Sequence, residues 1–76
     1  MDMEGLKSLL HRRLDEGASD AAILDELARV VPEPTRAGWK KLLAWVPDTT
    51  AAAMIAEDRK DHEARIAALL PAFLQA

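Results

Sequence analysis

Apolar residues recur at spacings of three and four along most of this chain and nowhere alternate with polar ones at period two. That is the pattern of amphipathic helices rather than strands. Met3, Leu6, Leu10 and Leu14 form the first stripe, with Asp2 placed to cap it and Gly17 to stop it, so a helix is predicted over 2–16. Ser19 then caps a second helix over 19–31, whose inward residues are Ile23, Leu24, Leu27, Ala28 and Val31. Pro32 ends it, because proline disfavours a helical residue before it and has no N–H to donate. Trp39, Leu42, Leu43 and Val46 follow the spacing i, i+3, i+4, i+7 and predict a third helix over 34–46, opened by Pro34 or Thr35. Trp45 falls beside that stripe, either packed on the next helix or exposed as an aromatic anchor.

From Asp48 to Leu70 there is no Gly or Pro, so a single fourth helix over 48–70 is predicted, capped by Asp48, Thr49 or Thr50. Its apolar residues lie at the ends, Met54 and Ile55 first and Ile66, Leu69 and Leu70 last, while Glu57 to Glu63 are all polar or charged. The ends are expected to dock and the middle to be solvated, laced by Asp58–His62, Arg59–Glu63 and Asp61–Arg65 pairs. Pro71 withholds an N–H from the carbonyl of Ala67 and is expected to stop or kink the helix, leaving 71–75 as a short apolar turn. At a rise of 1.5 Å per residue the helix is about 35 Å long, as long as a small domain is wide. A second copy is therefore expected to cover Ile66, Leu69, Leu70, Phe73 and Leu74. The predicted architecture is all-α: a compact four-helix domain over 1–76 that dimerises through its long C-terminal helix.

Size strengthens the dimer expectation. Half of the 76 residues are hydrophobic, yet fifteen of them are Ala and three are aromatic, and a core built largely of Ala buries little surface. There is no Cys, which excludes disulfides, thiolate catalysis and cysteine zinc sites. No basic leader with an apolar segment opens the chain, and no apolar run approaches the roughly 18 residues of a membrane span. A cytoplasmic chain with no membrane contact is expected.

The net charge of −3 is unevenly spread. Residues 1–28 carry seven acids against three bases, residues 29–47 one acid against four bases, and residues 48–76 five acids against three bases. Arg36, Lys40 and Lys41 cluster without an intervening acid, and with Trp45 they are the candidate contacts for a partner or for nucleic acid. Ser19-Asp20-Ala21-Ala22-Ile23-Leu24 followed by Thr35-Arg36-Ala37-Gly38-Trp39 resembles the helix-turn-helix of small phage and plasmid regulators over some thirty residues. The resemblance implies DNA binding by the helix at 34–46. It departs from the pattern at Val31-Pro32-Glu33-Pro34, which replaces a tight turn with a stiff joint carrying an acid where phosphate would lie.

Motifs of catalysis are missing: there is no glycine-rich phosphate loop, no His-Glu-x-x-His, no Gly-x-Ser-x-Gly and no Tyr. No catalytic residue, cofactor site or metal site is assigned. Asp58, His62 and Glu63 would make a metal site only if a second copy supplied further ligands, and a solvated helix face is the favoured reading; His11, beside Arg12 and Arg13, reads as a surface residue. The expected function is that of a small non-enzymatic protein-interaction module, a homodimeric adaptor, anti-activator or inhibitor that binds another protein. The alternative is a dimeric helix-turn-helix DNA-binding regulator.

Overall fold

The computed structural model describes residues 1–75 and contains five helices: α1 (Met3–Asp15), α2 (Asp20–Val30), α3 (Glu33–Leu43), α4 (Asp48–Ala56) and α5 (Lys60–Gln75). Ala76, the last residue of the predicted domain, lies outside them. Among the described residues there is no strand, as the spacing of apolar residues required.

The first two helices are bounded as their end residues dictate. The Asp2 carboxylate accepts from the Gly5 N–H at 2.8 Å, filling one of the open donors of the first turn. At the other end Gly17 adopts φ +78°, the Ala18 N–H reaches the Arg13 carbonyl and the Gly17 N–H reaches that of Leu14. This pair of bonds closes a helix around a left-handed residue, a conformation that glycine adopts without strain. Ser19 caps α2 by accepting from the Ala22 N–H. Val31 is extended before Pro32, and α3 starts directly after that proline, one residue earlier than the sequence predicts, and ends at Leu43.

The predicted fourth helix is two. After Ala56 the backbone turns through Glu57 (φ 48°) and Asp58 (φ 70°), both left-handed, and Arg59 then closes the turn onto the Ala56 carbonyl and opens α5. No glycine marks this break, which is why the sequence does not announce it. Two left-handed L-residues cost roughly 1–2 kcal/mol each. Packing offsets that cost. The molecule measures 28 × 25 × 19 Å, so an unbroken rod of about 35 Å would carry its apolar end out into water. Folding back instead makes α4 against α5 the most extensive helix–helix contact, with Ala51, Ala52, Ile55 and Ala56 meeting the apolar face of α5 in the common core.

Consequently Ile66, Leu69, Leu70 and Phe73 are buried in the core of their own chain, and Leu74 packs partly against it. The tail is covered without a second copy, which removes the premise on which these residues were assigned to a dimer interface. Pro71 does not end the helix either: α5 runs through it to Gln75. Proline forfeits one backbone bond, while the turn beyond it seats Phe73, 2% exposed, beside Trp39.

Candidate functional site

Two regions carry features that core packing does not require: an exposed apolar surface around α3 and α4, and a polar cluster where α1 meets the α4–α5 joint.

On α3 the inward positions are Arg36, Trp39 and Leu43, a stripe rotated away from the predicted one. Arg36 is buried, with its guanidinium carbon 4.9 Å from the centroid of the Phe73 ring and an ion pair to Glu33 at 3.7 Å. It belongs to the core and is not presented to a partner or to DNA. Lys40 and Lys41 remain exposed in the last turn. Leu42, predicted to face inward, is 64% exposed, and Trp45 is 91% exposed in the turn after α3. Met54, on α4, is 57% exposed.

These three large side chains are connected. Leu42, Val46 and Met54 line a cleft of 260 Å³ together with Met3, Trp39 and Ile55, and Leu42 also borders the shallow hollow beside Trp45, Gly38 and Lys41. The walls of the cleft come from α1, α3, the α3–α4 turn and α4. Lys7 lines the cleft but is paired with Glu57, Lys41 borders the adjoining hollow beside Trp45, and Lys40 lines a separate hollow with Asp48. From Pro34 to Pro47 there is no acid.

The second region joins two histidines that the sequence pattern places in water. His62 is 6% exposed, and its ring stacks on that of His11 with centroids 5.1 Å apart and planes 24° apart. The two Nδ1 atoms are 2.8 Å apart, and His11 Nε2 lies 3.0 Å from the Ile55 carbonyl. His62 Nε2 is 3.0 Å from Asp15, 3.4 Å from Asp61 and 3.0 Å from the Arg59 guanidinium. One sequence signal did exist: His62, Ile66, Leu69 and Phe73 share a face at spacings of four, three and four.

The solvated pairs expected in the middle of the fourth helix are replaced by ties to α1 and to the turn after it. Arg59 donates to Asp15 at 2.6 Å and also reaches Asp61, Lys7 pairs with Glu57, and Arg65 donates to Asp20 and to the Ala18 carbonyl. Arg13 forks onto Glu26, joining α1 to α2. The hydrogen bond from Arg59 holds Asp15 and Asp61 below the usual carboxylate range, while Arg13 and Lys7 do the same for Glu26 and Glu57. Asp15, Asp61 and His62 gather within reach of one ion, but the Arg59 guanidinium bonds to all three, so a cation already neutralises the cluster.

No helix among the described residues is long and apolar enough to cross a membrane. No family model, curated protein or solved structure matches the chain.

Proposed function

We propose that this chain is a small non-enzymatic protein-interaction module that regulates another protein by receiving an amphipathic helix of that partner, flanked by acidic residues, on the surface formed by Leu42, Trp45 and Met54. The observation that carries the reading is Trp45: a tryptophan 91% exposed, contiguous through Leu42 with an apolar cleft. Tryptophan is the residue most enriched among binding hot spots, and burying an aromatic ring removes about 150–250 Å² from water. The cleft falls below the range of about 300–1,000 Å³ usual for drug-sized ligands and suits side chains projected from a helix at i, i+3 and i+4. Lys41, exposed beside Leu42 and Trp45, supports acidic flanks on the partner, since complementary charge steers encounter and fixes orientation. The DNA alternative loses support from the burial of Arg36 and from Glu33 and Pro34 in the first turn of α3, where a recognition helix meets base edges.

Titration of synthetic amphipathic helices, with acidic or basic flanks around one Leu/Phe stripe, into the protein tests this by tryptophan fluorescence. The acidic series is expected to bind, and Trp45→Ala to weaken it at least tenfold with an unchanged circular-dichroism melt. Binding of neither series at 100 µM peptide, equal binding by Trp45→Ala, or self-association through Trp45 with peptides ignored overturns the reading.

A further inference from the structure

We propose that two copies of this chain exchange α5: the joint at 57–59 straightens, α4 and α5 join into one helix, and each copy seats its α5 in the core of the other. The geometry of the joint carries the inference. Only Glu57, Asp58 and Arg59 separate the two helices, and Glu57 at φ 48° and Asp58 at φ 70° hold a left-handed backbone that L-residues adopt at a cost. A short, strained hinge favours giving an element up to a second copy, because straightening it relieves the strain in both chains at once. The sequence suits the straight form. From Asp48 to Leu70 there is no Gly or Pro, so residues 57–59 can enter one helix without a gap in its ladder of bonds.

The contacts that α5 makes beyond the joint are the same in either form. His62 stacks on His11, Arg65 reaches Asp20 and the Ala18 carbonyl, and Phe73 sits beside Trp39. The α5 of a second copy meets those residues in the same way, so the two forms differ at the joint and in the entropy of association. Two ties favour the closed form. Lys7 pairs with Glu57, and the Ile55 carbonyl, which a straight helix would pair with the Arg59 N–H, accepts from His11 Nε2 at 3.0 Å while Arg59 bonds back to Ala56. The first is an ion pair whose acid is half exposed, a kind that adds little, and the second is replaced in kind by a backbone bond. Concentration therefore sets the balance, with closed monomers when dilute and exchanged dimers when concentrated.

Exchange leaves the proposed docking surface whole. The residues lining the cleft and the hollow beside Trp45 all precede the joint, from Met3 to Ile55. An exchanged dimer thus presents that surface twice, although the exchange itself does not depend on what binds there.

Refolding at a series of protein concentrations, read by size-exclusion chromatography with light scattering, tests the proposal, because exchange requires α5 to leave its own core. The wild type is expected to be monomeric at about 10 µM and to yield a growing dimer fraction up to about 1 mM. Glu57→Gly with Asp58→Gly, which accepts the left-handed backbone without strain, is expected to lower the association constant at least about tenfold, and Glu57→Ala with Asp58→Ala to raise it. Spin labels on Thr50→Cys and Ala68→Cys, in a chain with no Cys of its own refolded with an excess of unlabelled chain, report the joint directly. In the dimer the labelled positions are expected about 27 Å apart along one helix, and in the monomer at the shorter spacing of packed helices, whose axes lie about 8–10 Å apart. Trp45→Ala is expected to dimerise like the wild type, so failure of the exchange and failure of the docking surface are read separately. A wild type still monomeric at about 1 mM, equal association by the glycine and alanine pairs, a dimer with the monomer's label distance, or a dimer abolished by Trp45→Ala overturns the exchange.

Discussion

The guanidinium carbon of Arg36 lies 4.9 Å from the centre of the Phe73 ring, and both side chains are buried. The sequence assigned them to two different external surfaces, a basic cluster and an apolar tail; in the fold they are stacked on each other between α3 and α5. A cation over an aromatic face is stabilising, more so as water is excluded, and the contact helps to hold the turn beyond Pro71 in place. Phe73→Ala is expected to destabilise by about 3–5 kcal/mol, as for large aromatic truncations in other cores. A domain of this size has roughly 4–11 kcal/mol in total. Phe73→Asp should therefore unfold the chain rather than dissociate folded subunits. Urea denaturation followed by circular dichroism, with light scattering in parallel, separates the outcomes; a folded, scattering-detected monomer from Phe73→Asp would return that residue to an interface.

The α4–α5 break makes a prediction opposite to that of a solvated helix midsection, in which Asp58→Ala should change little. Asp58 has φ 70°, where a Cβ is strained and glycine is not. Asp58→Gly is expected to raise stability by about 0.4–1 kcal/mol, and Asp58→Ala to lower it by about 1 kcal/mol. Lys60→Ala, in the first turn of α5 and exposed, serves as the neutral control. A melting temperature for Asp58→Gly at or below that of Asp58→Ala would mean that residues 48–70 are one helix in solution.

What the sequence reveals and what it hides divide along a physical line. α1 and α2 are legible because Asp2, Gly17, Ser19 and Pro32 each meet a local stereochemical need that any observer of the chain can infer. The break at Glu57 and Asp58 meets a nonlocal one: Glu57, a good helix former, and Asp58, which tolerates the left-handed region better than most, both adopt it because the chain must return over its own core. Leu42 and Arg36 exchanged expected places for the same reason, since an i, i+3, i+4 pattern states that one face is apolar but not that a neighbouring aromatic will accept a guanidinium. Of the candidate contacts, Lys40 and Lys41 lie at the surface as anticipated, Trp45 is exposed where packing on the next helix was the favoured expectation, Arg36 is buried, and the histidine pair depends on a meeting of residues 51 positions apart that no spacing rule encodes.

Acid should act on this fold through its paired carboxylates. Asp15, Glu26, Glu57 and Asp61 are all held below their ordinary range by a hydrogen-bonded Arg or Lys. For a depressed carboxylate the contribution is present above the unfolded value, near 4, and is lost as pH falls through the lower folded value. Stability is thus expected to drop below about pH 4. Glu26→Gln, which leaves Arg13 only Glu16 as a charged partner, should reduce that drop. Denaturation at closely spaced pH values reads it; an unaltered low-pH profile in Glu26→Gln would show that the Arg13 fork contributes nothing in solution.

Lys40 and Lys41 decide between the two classes of partner. Both are exposed in the last turn of α3, beside Leu42 and Trp45 and with no acid in the segment from Pro34 to Pro47. For an acidic helix seated on the apolar surface they supply orientation and encounter rate, while the affinity resides in the Trp45 and Leu42 contacts. Lys40→Glu with Lys41→Glu is then expected to weaken the acidic peptide several-fold, mainly through slower association, and to improve the basic one, with the melt unchanged. For duplex DNA the same double change removes phosphate contacts and reverses the local charge, which abolishes retention and flattens the salt dependence of any residual binding. Stopped-flow fluorescence with each peptide, and duplex binding at two salt concentrations, give the answer on one pair of proteins. Submicromolar duplex binding by the wild type at physiological salt, lost in the double variant, would assign α3 to DNA despite its buried arginine and its acidic first turn.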